Sequence, residues 1–164
     1  MILVMGVSGA GKTTVGAALA RSLGWTFLDA DDFHPPANIA KMTAGHALDE
    51  DDRAPWLDSL AKAIAAQERA GRDVVVACSA LRGAHRERLT AGAGRSAVVY
   101  LAAAPPLIER RLARRAGHFM SPALAASQFE ALEPPADALV LDARGPPDAL
   151  AREIRHALGL DASP

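Results

Sequence analysis

Between Gly6 and Thr13 the chain reads GVSGAGKT, which fits the spacing G-x-x-x-x-G-K-[ST]. Glycine lets successive backbone N–H groups turn inward without a Cβ clash. Gly6, Val7, Ser8, Gly9, Ala10 and Gly11 can therefore offer amides to phosphate oxygens. A helix opening at Lys12 adds a partial positive charge of roughly half a unit at its start. Lys12 can reach β- and γ-phosphates, and Thr13, followed by Thr14, can place its hydroxyl on Mg²⁺. The stretch follows a short apolar run and opens a helical pattern, the context a phosphate loop requires. It points to a nucleoside triphosphate and leaves open what is done with it.

Carboxylates come next, in Asp29-Ala30-Asp31-Asp32. Residues two apart on an extended chain point the same way. Asp29 and Asp31 are expected to project together from the carboxyl edge of a sheet, where ligands bind in open α/β folds. One could hold a Mg²⁺ water while the other accepts a proton from an attacking hydroxyl; either could instead cap a helix. His34 and Lys41 lie two helical turns apart and can share a face, a cation pair suited to a small anionic substrate, or serve as plain surface groups. Arg53 stands among Asp49, Glu50, Asp51 and Asp52 and could simply pair with them. Ser79 can cap a helix or touch substrate, and Cys78 reads as packing rather than as a nucleophile.

In Arg110-Arg111-Leu112-Ala113-Arg114-Arg115 a turn of about 100° per residue puts Arg111 and Arg115 toward the apolar face of Leu107, Ile108 and Leu112. An inward arginine needs an anionic partner, and a triphosphate would serve; the alternative is a basic helix that snorkels into solvent. Gly117-His118-Phe119-Met120 reads as a hinge into a lid over about 112–135, closing to exclude water.

These groups need a scaffold. Short β-rich runs are expected as strands at Ile2–Met5, Trp25–Asp29, Asp73–Cys78, Ala97–Leu101 and Ala138–Asp142. Helical patterns lie between and after them: Lys12–Leu23 closed by Gly24, Pro55–Ala70 opened by its proline, Leu81–Thr90, Pro106–Ala116, Pro122–Leu132 and Pro147–Leu158. The alternation predicts one α/β domain with a parallel sheet and helices on both faces. The 164 residues suffice for one such core. A net charge of −1 offers no basic field for nucleic acid or an anionic membrane, and 4% aromatic residues offer few bases a stacking platform. A lone cysteine, no membrane-length apolar run and no basic leader before Ile2–Met5 fit a cytoplasmic protein.

The blocks GVSGAGKT, LDADDFHPPANIAKM, DEDDRAPWL, CSALRGAHRERL, RRLARRAGHFM and SQFEALEPP run in order from residue 6 to 135. Together they resemble the P-loop gluconokinases, small kinases of the adenylate- and shikimate-kinase type. Many enzymes share the phosphate loop; the second and third blocks are far more specific. Ala30, Ala47 and Arg114 depart from the family's pattern without removing a functional group. The resemblance implies a P-loop kinase fold with five parallel strands in the order 2-3-1-4-5 and a mobile lid. It implies ATP- and Mg²⁺-dependent phosphorylation of the 6-hydroxyl of D-gluconate, commonly by a homodimer. It implies Asp31 as base, and His34, Lys41, Arg53, Ser79 and Arg86 along the gluconate pocket. His118 and Gln128 would make lid-side contacts, and Arg111 and Arg115 would serve the phosphates. A kinase for another hydroxy acid such as shikimate would keep the loop and the aspartates but change the HP…N…KM block. A nucleotide-gated binding module would need a base-recognition motif such as N-K-x-D, which is absent.

Overall fold

The structure is a computed structural model that describes residues 1–114 and 122–161. Five parallel strands, β1 (Ile2–Met5), β2 (Thr26–Asp29), β3 (Val74–Ala77), β4 (Ala97–Ala102) and β5 (Leu139–Asp142), form one sheet in the order β2-β3-β1-β4-β5. Alternation along the central strands divides the core in two. Ile2, Val4, Val75 and Val99 face helices α1 (Lys12–Leu23), α5 (Pro105–Ala113) and α7 (Pro147–Ala157) through Val15, Leu19, Ile108 and Ile154. Leu3, Met5, Val74 and Val76 face α3 (Glu50–Arg69) and α4 (Gly83–Thr90) through Leu57, Leu60, Ile64 and Leu89. Each large apolar side chain buried this way stabilises the fold by about 1.5–3 kcal/mol. Two further helices, α2 (Pro36–Thr43) and α6 (Pro122–Glu130), bring side chains to the carboxyl edge of the sheet.

Of the element boundaries, the start of α3 departs furthest from the sequence expectation. Pro55 does not open its helix: α3 begins a turn earlier, at Glu50, inside a capping box. Asp49 accepts from the Asp52 amide and Asp52 accepts from the Asp49 amide, both at 2.9 Å. Reciprocal capping satisfies two orphan amides and outweighs the proline signal. Pro55 is tolerated because it and Asp51, whose carbonyl it leaves without a helical partner, are exposed. At the other end of α1, Gly24 takes φ 68°, the left-handed cap expected of it. Among the described residues no helix is long and apolar enough to cross a membrane.

Candidate active site

The phosphate loop leaves β1 beside β4, and glycine is obligatory there. Gly6 has φ +143°, and a Cβ on it would sit 2.8 Å from the Leu101 carbonyl oxygen. Gly11 takes φ 102° as the N-cap of α1. Lys12 Nζ reaches back to the Val7 carbonyl at 3.2 Å, and Thr13 and Thr14 are exposed in the first turn of α1.

Arg111, on α5, holds this loop from behind. Its Nη1 donates to the carbonyls of Gly9 (3.1 Å) and Ala10 (2.9 Å), and Nη2 donates to Ala143 (2.7 Å), just past β5. The inward arginine is thus satisfied by three neutral carbonyls; no phosphate is needed to bury it. Across a trans peptide the C=O and N–H point in opposite directions. Anchoring the Ala10 carbonyl therefore aims the Gly11 amide away from Arg111.

Beside the loop opens a cleft lined by Asp31, His34, Arg53, Ser79, Arg82 and Gln128, among others. The pairing argument for Asp29 and Asp31 fails in its premise, because the chain turns into a short 3-10 helix, Ala30–Phe33, directly after β2. Asp29 caps that turn by accepting the Asp31 amide at 3.1 Å, while Asp31 lines the cleft. His34 stacks on Trp56, with ring centroids 4.2 Å apart and planes at 14°. Trp56 is itself pinned, its Nε1 donating to the Ala30 carbonyl at 2.7 Å. Burial pulls the His34 pKa below its ordinary value, against the opposing charge of Asp31.

Asn38 orients that ring. Its Nδ2 donates to the Asp52 carbonyl at 2.9 Å and lies 3.4 Å from His34 Nδ1. A carbonyl only accepts, so this contact fixes which end of the amide is the donor. His34 Nδ1 is then the acceptor, and the neutral ring carries its proton on Nε2.

The remaining expected residues fall in several places. Ser79 lines the cleft and is not a helix cap, since α4 starts later with Arg82 at its N-cap. Cys78 is buried, and burial pushes its thiol up to about 12, consistent with a packing role. Lys41 pairs with Asp49 and Asp52 at the start of α3 and does not join His34 in the cleft. Arg86 Nη1 donates to the carbonyls of Ala80 and Leu81 at 3.0 Å each. It braces a turn in which Ala80 adopts φ 41°. Gln128, on α6, lines the cleft and accepts the Ser8 amide through Oε1 at 2.7 Å. Arg115, His118 and the hinge glycine Gly117 lie outside the described residues.

Sequence reasoning assigned no site role to Asn38, Trp56, Arg82 or His85. His85 is 8% exposed; its Nε2 lies 3.0 Å from Glu50 Oε2, while Arg53 (2.9 Å) and Arg82 (3.0 Å) donate to Glu50 Oε1. The Glu50 carboxyl is held below its usual range, first by His85 and then by Arg53. Helical spacing gave no signal for Asn38, because His34 is extended and α2 begins only at Pro36.

A glycine phosphate loop on a 2-3-1-4-5 parallel sheet, with a carboxylate-bearing cleft beside it, defines a small P-loop kinase. Comparison with known proteins agrees. The family described as an AAA domain matches residues 1–135. A probable gluconokinase of Rattus norvegicus is 45% identical over 153 residues, 82% of this chain and 83% of that protein. A gluconokinase of Gluconobacter oxydans is 42% identical over 159 residues, 94% of this chain and 89% of its own. The crystal structure of a gluconokinase from Sinorhizobium meliloti superposes with a TM-score of 0.85 at 39% identity, covering 96% of this chain and 90% of that one. The chain belongs to the gluconokinase family of P-loop kinases.

Proposed function

We infer that this protein transfers the γ-phosphoryl group of ATP to the 6-hydroxyl of D-gluconate, giving 6-phospho-D-gluconate and ADP. The observation that carries the reading is Gln128, which lines the cleft while its Oε1 takes the Ser8 amide of the phosphate loop at 2.7 Å. Loop and cleft meet at one point, so an alcohol in the cleft can face a phosphate on the loop. The gluconokinases to which the chain is similar supply the name of the alcohol.

In this reading Asp31 takes the proton of the attacking hydroxyl as its oxygen bonds to the γ-phosphorus. The bond to the bridging oxygen breaks and ADP leaves. Lys12 and the amides of Gly9 to Thr14 balance charge on the transferring group, and Arg111 keeps the loop in shape. His34 offers Nε2–H, and Ser79 its hydroxyl, to sugar hydroxyls. The oxygen donors present fit Mg²⁺, which keeps several waters and shares phosphate oxygens. Thr13 would bind it through the hydroxyl, and Asp29, with Oδ1 given to the Asp31 amide, through water at Oδ2. When bound it would neutralise phosphate charge. The reading extends to a cytoplasmic homodimer.

The test is an ATP-consumption screen of sugar acids and shikimate with identification of the phosphorylated product. Gluconate should be turned over best. Asp31→Asn should lower kcat by about 10²-fold or more, and Lys12→Ala should abolish turnover in a folded protein. Shikimate as the preferred acceptor, or full activity in either variant, would overturn the assignment.

A further inference from the structure

A sugar acid carries a carboxylate, and something in the cleft must recognise it. Asp31 is a carboxylic acid side chain, and burial lowers the His34 pKa, which works against a positive charge on that ring. Two other expected cations do not line the cleft: Lys41 pairs with Asp49 and Asp52, and Arg86 braces the carbonyls of Ala80 and Leu81. Among the described residues lining the cleft, the remaining positive or protonatable side chains are Arg53, Arg82 and His85.

All three bond one carboxylate, Glu50, which does not itself line the cleft. Two guanidinium groups on one Glu50 oxygen are brought close together, a placement their mutual repulsion would otherwise oppose. The pair with Glu50 carries a net single positive charge, and protonating His85 would only add to it. Each arginine bonds Glu50 through Nη1, so Nε and Nη2 of its planar fork remain to meet a second anion. The side chain of Arg82 is 44% exposed, against 22% for Arg53, so Arg82 is the easier of the two to reach.

We propose that Arg82, held beside Arg53 by Glu50, binds the substrate carboxylate and sets the preference for sugar acids over neutral polyols. The proposal rests on the sugar-acid reading above and names the residue that gives it specificity. Arg82 precedes α4 at a position with no side-chain cap bond, so its removal spares the fold.

The experiment compares Arg82→Ala and Arg82→Lys with the wild type, using gluconate, the neutral polyol glucitol, and ATP as the varied substrates. Removing a charge-assisted contact should raise the gluconate KM by about 10- to 100-fold in Arg82→Ala. The ATP KM and the kcat should stay near wild type, and glucitol turnover should not change. The acid-over-polyol preference then falls by the same factor. Arg82→Lys should recover part of the loss, since it restores charge without the fork. An unchanged gluconate KM in Arg82→Ala, with a wild type that prefers gluconate, overturns this proposal alone. Equal losses for gluconate and ATP overturn it as well. A wild type that prefers glucitol overturns the sugar-acid reading and this proposal together.

Discussion

Gln128 Oε1 accepts the backbone amide of Ser8 at 2.7 Å, joining α6 to a phosphate loop 120 residues earlier in the chain. The amide side of a phosphate loop attracts anions, and here a neutral carbonyl oxygen sits on it. A negative charge at this side chain would face an incoming triphosphate. Gln128→Glu is therefore expected to lower kcat/KM for ATP by about 10-fold or more, in proportion to roughly 1.4 kcal/mol of added repulsion. Gln128→Ala should cost less. Steady-state kinetics at fixed gluconate reads both, and a Gln128→Glu enzyme as active as wild type would separate the residue from the nucleotide.

Asn38 is 4% exposed and fixes the proton of His34 on Nε2. Asn38→Ala removes the donor to the Asp52 carbonyl and frees the ring. Losing this buried bond to a carbonyl that α3 also bonds internally should cost about 0.5–1.5 kcal/mol of stability, measured by urea unfolding. The reading specific to the ring is its tautomer. Nitrogen NMR of labelled imidazole should show Nε2–H in the wild type and a tautomer mixture in the variant. A wild-type Nδ1–H signal would reverse the assignment.

The phosphate loop and the strand–helix alternation were legible because both rest on local signals, whereas the strand order of the sheet came only from the family resemblance. GVSGAGKT carries its turn geometry in its own glycines, and β-rich runs alternate with helical ones. Asp29 and Asp31 were misread in geometry, since an Asx-type cap turned the chain into a 3-10 helix where an extended strand was assumed. Pro55 misled for a related reason: the capping box of Asp49 and Asp52 lies three to six residues upstream and wins. Arg82 and His85 were not legible at all. Their meaning comes from Glu50, more than thirty residues earlier, and nothing in either local pattern announces that contact.

Arg111 touches the carbonyls of Gly9, Ala10 and Ala143 with one planar group. A lysine ammonium on a flexible stem cannot span acceptors on two separate loops in the same way. Arg111→Lys should therefore behave nearly as badly as Arg111→Ala. Both should weaken ATP binding by about 10- to 100-fold, as expected for losing charged-donor hydrogen bonds that shape the site. Calorimetric titration with a non-hydrolysable ATP analogue measures this. If Arg111→Lys binds like wild type, charge alone matters there and the carbonyl clamp does not.

The start of α3 should give the fold an acid-sensitive step. Lys41 donates to Asp49 at 2.9 Å and also pairs with Asp52. The Asp49 carboxyl is lowered from its usual 3.8 to about 2, first by Lys41 and then by the Asp52 amide. A carboxyl whose folded pKa is depressed stabilises the fold above its unfolded pKa, and that contribution disappears as pH falls through the folded value. The wild type is therefore expected to lose urea resistance progressively from about pH 4 to about pH 2. Glu50 and Asp142 also sit below their usual values and add to the slope. Asp49→Asn isolates one contribution, because asparagine keeps the helix cap and removes the charge. Its unfolding midpoint should lie below wild type at pH 7 and converge with it near pH 2. Parallel curves across that range would show that the Lys41 pair contributes nothing to holding α2 against α3.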